Sequence, residues 1–274
     1  NNPRFAGIDH VNVYDVGQGN CNGLVDDNNV VQAYFDLGGG CNANQFTYPV
    51  GIKICMCQTP SVILSHWDQD HIEIALQEPQ TWSLKWLVPV QKLSNTAYHL
   101  ANRLQQNGNL TCWNNTIPVP HSFSGHFIVK CNGAAGNKNN SGLALFVEHQ
   151  PNEFVFLTGD ARFGVIPLIT VGQITAMVAS HHGADGSVAG ANNVIPIAAG
   201  SSMLAYSYGE RNGIKNTHNH AHKNAERDYK TANWGPEKRA MGGHIALKKQ
   251  PLSLTTPCAI AGTCTLQIVG GQHY

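Results

Sequence analysis

The stretch Val62-Ile63-Leu64-Ser65-His66-Trp67-Asp68-Gln69-Asp70-His71 passes from an apolar, β-branched start to two imidazoles and two carboxylates within six residues. A short apolar run closed by polar residues reads as a buried strand, here Val62 to Ser65. The next segment, His71 to Glu78, reads as a helix. Positions 66, 68 and 70 of an extended turn project to one side, and His71 at the helix start approaches from another direction. Gathering two carboxylates and two imidazoles this closely costs free energy unless a cation binds them, so the segment reads as a metal-ligand turn at a strand end.

Working outward, short β-branched and aromatic runs separated by Gly, Asn and Pro predict strands at 8–16, 30–36, 86–90, 143–148, 154–158, 174–179 and 204–208. Helices are expected over Asn95 to Gln106 and Ala221 to Trp234, while 108–124 and 134–140 read as loops. Strands and helices mixed in this order predict a layered α/β domain. With 274 residues the expectation is one domain spanning 1–274. Hydrophobic residues make up 42% and charged residues only 12%, which excludes a disordered chain. Lys plus Arg equals Asp plus Glu at 17 each, which disfavours binding to nucleic acid through bulk positive charge. No apolar run reaches the roughly 18 residues of a membrane helix, so no membrane insertion is expected. The start, Asn1-Asn2-Pro3-Arg4, has neither an initiator Met nor a signal pattern, so a secreted chain or one released from a larger protein is expected. The eight cysteines leave disulfides open, and Cys55 and Cys57 read as two thiols on one face of a strand.

His66-Trp67-Asp68-Gln69-Asp70-His71 resembles the H-x-D-x-D-H form of the metal motif of the metallo-β-lactamase superfamily. The likeness continues in order along the chain. Val13-Tyr14-Asp15-Val16-Gly17-Gln18-Gly19 and Tyr34-Phe35-Asp36-Leu37-Gly38 resemble the opening of the ComEC-like subgroup, the soluble nuclease domain of competence proteins. Asn139-Asn140-Ser141, Leu157-Thr158-Gly159-Asp160, Ser180-His181-His182-Gly183 and the Ser207 to Asn212 segment with the histidines after it also have counterparts there. The resemblance implies an αββα four-layer sandwich of metallo-β-lactamase-like type. It implies two divalent ions, one on His66 and Asp68 and the other on Asp70 and His71, bridged by Asp160. Either His181 or His182 would complete the second site; His181 is preferred because it directly ends its strand, leaving His182 to face substrate. Asp36 would orient the ligand turn from behind. Asn140 and Ser141 would contact substrate, and His220 is chosen from His218, His220 and His222 as the active-site histidine.

Three departures from the pattern matter. The third histidine of the first site has no counterpart, since His121 and His126 fall elsewhere and the matching place is near 137–140. Glu73-Ile74 replaces the usual Gly-Gly, and Asn20 stands where an acidic residue is usual. The first site is therefore oxygen-rich, which shifts preference from Zn2+ toward Mn2+ or Mg2+. Two ions sharing a hydroxide suit phosphodiester hydrolysis. The expected function is a DNase or phosphodiesterase, secreted or toxin-type, with DNA as substrate and a cognate immunity protein as partner if it is a toxin. Hydrolysis of a small lactam, lactone or thioester, or non-catalytic binding, are the alternatives on this fold. Charge is segregated: residues 1–80 hold two basic and nine acidic side chains, and 205–250 hold nine basic and four acidic ones. Lys223 and Lys230 in that basic segment are expected to track a phosphate backbone.

Overall fold

The computed structural model describes residues 7–49, 52–113, 120–167, 172–185, 194–200, 202–208, 221–235, 237–239 and 245–247. His218, His220 and Asn212 lie outside them. In chain order the strands are β1 (Ile8–Val13), β2 (Cys21–Asp26), β3 (Val31–Leu37), β4 (Ser61–Ile63), β5 (Trp86–Pro89), β6 (Leu110–Trp113), β7 (His121–Phe123), β8 (His126–Lys130), β9 (Leu143–Gln150), β10 (Glu153–Leu157), β11 (Gln173–Val178), β12 (Met203–Tyr206), β13 (Glu237–Arg239) and β14 (Ile245–Leu247). The α-helices are α1 (Glu73–Gln77), α2 (Asn95–Gln106) and α3 (Lys223–Thr231).

Among the described residues the strands form two sheets of seven, ordered β14-β1-β2-β3-β4-β5-β6 and β13-β12-β11-β10-β9-β8-β7. Period-two alternation assigns each strand two faces. On β10, Val155 and Leu157 join the cluster between the sheets with Phe35, Ile63, Leu145 and Val178. Phe154 and Phe156 face outward with Phe146, Met177 and Tyr206, covered by Ala225 and Tyr229 of α3. On the first sheet, Tyr34, Val62 and Trp86 face α1 and α2. The layers are therefore helix, sheet, sheet, helix. Helix α2 shows why its sequence is helical: Ser94 Oγ accepts from Ala97 N at 3.2 Å as an N-cap, and Ala97, Leu100, Ala101 and Leu104 form one buried stripe. Each fully buried Leu or Phe contributes about 1.5–3 kcal/mol. No helix of the described residues is long and apolar enough to cross a membrane.

Several sequence expectations change. The 108–124 segment contains β6 and β7, which pair at the sheet edges and are not loop. β2 has no apolar alternation to announce it, because buried Asn22 and Gly23 interrupt the run and Gly23 lies against the Tyr14 ring. The Cys55 to Cys57 segment is not a strand. Cys55 is buried, with its Sγ 3.2 Å from Sγ of the disulfide-bonded Cys57. The helix expected from His71 begins instead as a 3-10 turn, Gln69–His71, before α1.

Candidate metal centre

Strands β3, β4, β10, β11 and β12 deliver Asp36, His66–His71, Asp160, His181–His182 and Ser207 to one edge of the sandwich, at or just beyond their carboxyl ends. The turn after β4 is clamped by its neighbours. Leu143 N donates to Ser65 O at 2.8 Å, and the Asp70 carbonyl accepts from Asn20 N at 3.2 Å and Gly39 N at 3.0 Å. A Cβ at Gly38 would collide with that carbonyl, which is the physical content of the glycines after β1 and β3. The sequence shows those glycines as a motif without showing what they make room for.

Around Asp160 the imidazoles converge through Nε2. His71 Nε2 is 3.1 Å and His182 Nε2 3.7 Å from Oδ1, while His181 Nε2 is 3.4 Å and His66 Nε2 3.7 Å from Oδ2. The two carboxylate oxygens thus face two halves of the centre. In one half His182 Nε2 lies 3.4 Å from Asp70 Oδ2; in the other His66 Nε2 lies 3.4 Å from Asp68 Oδ2. Asp70, His71, Asp160 and His182 each offer one ligand atom within 4.8 Å of the others. His182, and not its neighbour His181, joins Asp70 and His71.

The opposite ring nitrogens are held from behind. His71 Nδ1 donates to Asp36 Oδ2 at 2.8 Å, and His182 Nδ1 donates to Ser207 O at 2.7 Å. Both bonds place the proton on Nδ1 and leave the Nε2 lone pair for a cation. Asp36 also accepts from Ser65 N at 2.6 Å and Ser65 Oγ at 2.8 Å, and Ser65 Oγ lies 3.0 Å from His66 Nδ1. Ser207 Oγ donates to Gly19 O at 2.6 Å, closing the ring of supports between the sheets. His181 and His182 both adopt left-handed backbone angles, φ 49° and 55°, which cost about 1–3 kcal/mol each. Ser180 Oγ on Ala161 O, Ser180 N on the Tyr229 hydroxyl and His181 N on Gly159 O hold that turn.

The donor set fits a divalent cation. Nε2 of His71 and Oδ1 of Asp160 are buried with no hydrogen bond satisfying them, a state that a cation at the centre would relieve. Burial opposes charge on Asp160, but His181, His71, His182 and His66 hold its carboxyl well below the usual range. Burial also opposes protonation of His71, yet Asp160, Asp36 and Asp70 raise it well above the usual imidazole value. His182 is raised too, burial being outweighed by Asp160 and Asp70. An entering cation therefore replaces protons on these rings.

The remaining expected residues lie further out. Asn140 Oδ1 accepts from Arg162 N at 3.0 Å, and the buried Ser141 Oγ accepts from Gln91 Nε2 at 3.0 Å. The residue of that turn that reaches the centre is Asn139, whose Nδ2 donates to Asp160 Oδ2 at 3.4 Å. Lys223 and Lys230 are exposed on α3. Its N-cap His222 donates its backbone N–H to Gly183 O at 2.8 Å and places Nδ1 3.4 Å from Asp185. A cleft of about 350 Å³ opens beside Asp68 and Asp70, lined among others by Gln18, Asn42, Trp67, Lys138 and His181. Two of these, Lys138 and Asn42, have no signal in the sequence.

Two face-to-face sheets flanked by helices, with a His/Asp centre at one edge, make this chain an αββα four-layer sandwich, the architecture that the metallo-β-lactamase resemblance implies. Among solved structures it is similar to the metallo-β-lactamase fold protein YhfI from Bacillus subtilis, at 14% identity and TM-score 0.45, over 87% of this chain and 99% of that one. It is similar also to the isothiocyanate hydrolase from Delia radicum gut bacteria, again at 14% identity and TM-score 0.45, over 87% of this chain and 100% of that one. No protein-family model and no curated protein matches the sequence.

Proposed function

We propose that this chain is a metal-dependent hydrolase of phosphodiesters, DNA first among them. The observation that carries the reading is the convergence of four imidazoles and three carboxylates on one edge, with Asp160 facing both halves. Asp70, His71, Asp160 and His182 would hold a divalent ion. Such an ion supplies a bound water with a pKa near about 7 and polarises the attacked group. Asp36 and Ser207 hold the two ligand rings in orientation, and the half-exposed His181, which lines the cleft, would meet substrate there. The oxygen share of the donors supports a hard ion such as Mn2+, with Zn2+ also accepted, and the ComEC-like motif order supports a phosphodiester. A secreted or toxin-type role, with a cognate immunity protein for a toxin, belongs to the same reading.

A second reading, hydrolysis of a small lactam, lactone or thioester, is favoured by the size of the cleft, which lies in the range of small-ligand pockets. Plasmid nicking and turnover of bis(p-nitrophenyl) phosphate, run beside nitrocefin, lactone and thioester panels with and without chelator, separate the two. The expected result is chelator-sensitive phosphodiester cleavage. Turnover confined to the carbonyl substrates would replace the nuclease reading, and no metal-dependent turnover at all would remove both.

If DNA is the substrate, the exposed lysines of α3 track its backbone, since the helix starts where the histidine turn ends. Lys223→Ala with Lys230→Ala is then expected to weaken DNA binding and to lower the slope of log affinity against log salt by about 0.7–0.9 for each phosphate interaction removed. Turnover of a small diester, too short to reach α3, should change less than about twofold by the same reasoning. An unchanged salt slope would mark α3 as a solvated surface only.

A further inference from the structure

The half of the centre built on His66 and Asp68 ends on a lysine. Lys138 Nζ pairs with Asp68 Oδ1, and the next residue, Asn139, donates to Asp160 Oδ2, the oxygen that faces His66 and His181. The turn carrying both is anchored to the ligand turn by one side chain. Gln91 Nε2 donates to Lys138 O at 2.7 Å and to Ser141 Oγ at 3.0 Å, while its Oε1 accepts from Trp67 N at 3.2 Å. The ammonium is thereby delivered to Asp68 by a braced segment. The other half differs: among the described residues no Lys or Arg pairs with Asp70 or Asp160.

From this placement we propose that Lys138 substitutes for the first metal ion: the centre holds one divalent ion, among Asp70, His71, Asp160 and His182, and the Lys138 ammonium supplies the positive charge at Asp68. The inference rests on the metal-centre reading above. Two physical consequences support it. An ammonium on Asp68 neutralises a carboxylate that a first ion would need as ligand, and it repels a dication brought to the same oxygen. Asn139 likewise gives Asp160 Oδ2 a hydrogen-bond donor in place of a second cation. The missing third histidine of the first site then has an explanation in the chain itself, because near the position where that ligand is expected the sequence supplies a lysine paired with Asp68.

Metal stoichiometry tests this on the full chain, stripped by chelator and titrated with Mn2+, read by calorimetry, elemental analysis and electron paramagnetic resonance. The expected result for the parent is one ion per chain with an uncoupled Mn2+ spectrum. Lys138→Met is expected to take a second ion at least tenfold more tightly than the parent does, with a spin-coupled spectrum, and Lys138→Arg to stay at one. Two ions of comparable affinity in the parent would overturn the proposal while leaving the metal centre standing. A Lys138→Met chain that keeps its first ion and gains no second would overturn it equally. No ion bound by the parent would overturn the metal-centre reading itself, and this proposal with it.

Discussion

Asp160→Ala is expected to lower kcat/KM on a chelator-sensitive substrate by about three orders of magnitude or more, the scale seen when one member of a group acting as a unit is removed. The size follows from the position of the carboxylate. Oδ1 faces His71 and His182, Oδ2 faces His66 and His181, and burial makes each of these interactions stronger than it would be in water. Without it, the four imidazoles lose the one carboxylate they share, and only Asp68 and Asp70 remain, beside His66 and His182. The fold should survive, because the apolar clusters on both faces of β10 are untouched. Far-ultraviolet circular dichroism, metal content and turnover measured together check this. Activity within tenfold of the parent would show that Asp160 is not part of the working centre.

The second large effect is expected at Asp36, and it divides between stability and metal retention. Asp36 is fully buried, stands at a left-handed φ of 66° that Asp tolerates, and receives hydrogen bonds from Ser65 N, Ser65 Oγ and His71 Nδ1. Asp36→Ala strands all three donors in a dry site. Breaking a buried charged pair from one side costs about 3 kcal/mol or somewhat more. Losing the partner that fixes a ligating imidazole costs about 10–100-fold in metal affinity. Denaturant midpoints of the metal-free chains report the first, and competition with a chelating dye reports the second. If both values stay at the parent's, the bond to His71 does not orient that ring. A loss of stability with unchanged metal affinity would confine Asp36 to holding the turn after β4.

How much of this is legible in the sequence depends on the range of the interactions involved. Residues His66 to His71 announce a ligand turn because four chemically costly side chains sit within one short segment. The α2 helix is legible to the residue, its buried stripe and Ser94 cap being local signals. β6 and β7 resemble loop in sequence because their identity comes from pairing with β5 and β8 and not from their own composition. Gly19 and Gly38 are visible as a motif, but their work, letting the Asp70 carbonyl approach, involves residues far along the chain.

By itself, then, the sequence determined the layered α/β class, the strand ends that carry His66, Asp160 and the His181-His182 pair, and the unusual oxygen share among the donors. The layered class and the His66 turn follow from periodicity and from the energetic cost of clustering charge, both readable over a few residues, whereas Asp160, the His181-His182 pair and the oxygen share are what the family resemblance implies. Only the tertiary structure decided which of two adjacent imidazoles joins Asp70 and His71, and that Asn139 and Lys138, not Asn140 and Ser141, turn toward the centre. Two consecutive left-handed residues reverse the direction in which His181 and His182 project, and Ser207 O fixes one ring from a segment 25 residues away. Side-chain direction at a turn is set by backbone angles and distant partners, so no local pattern of residue types could encode it.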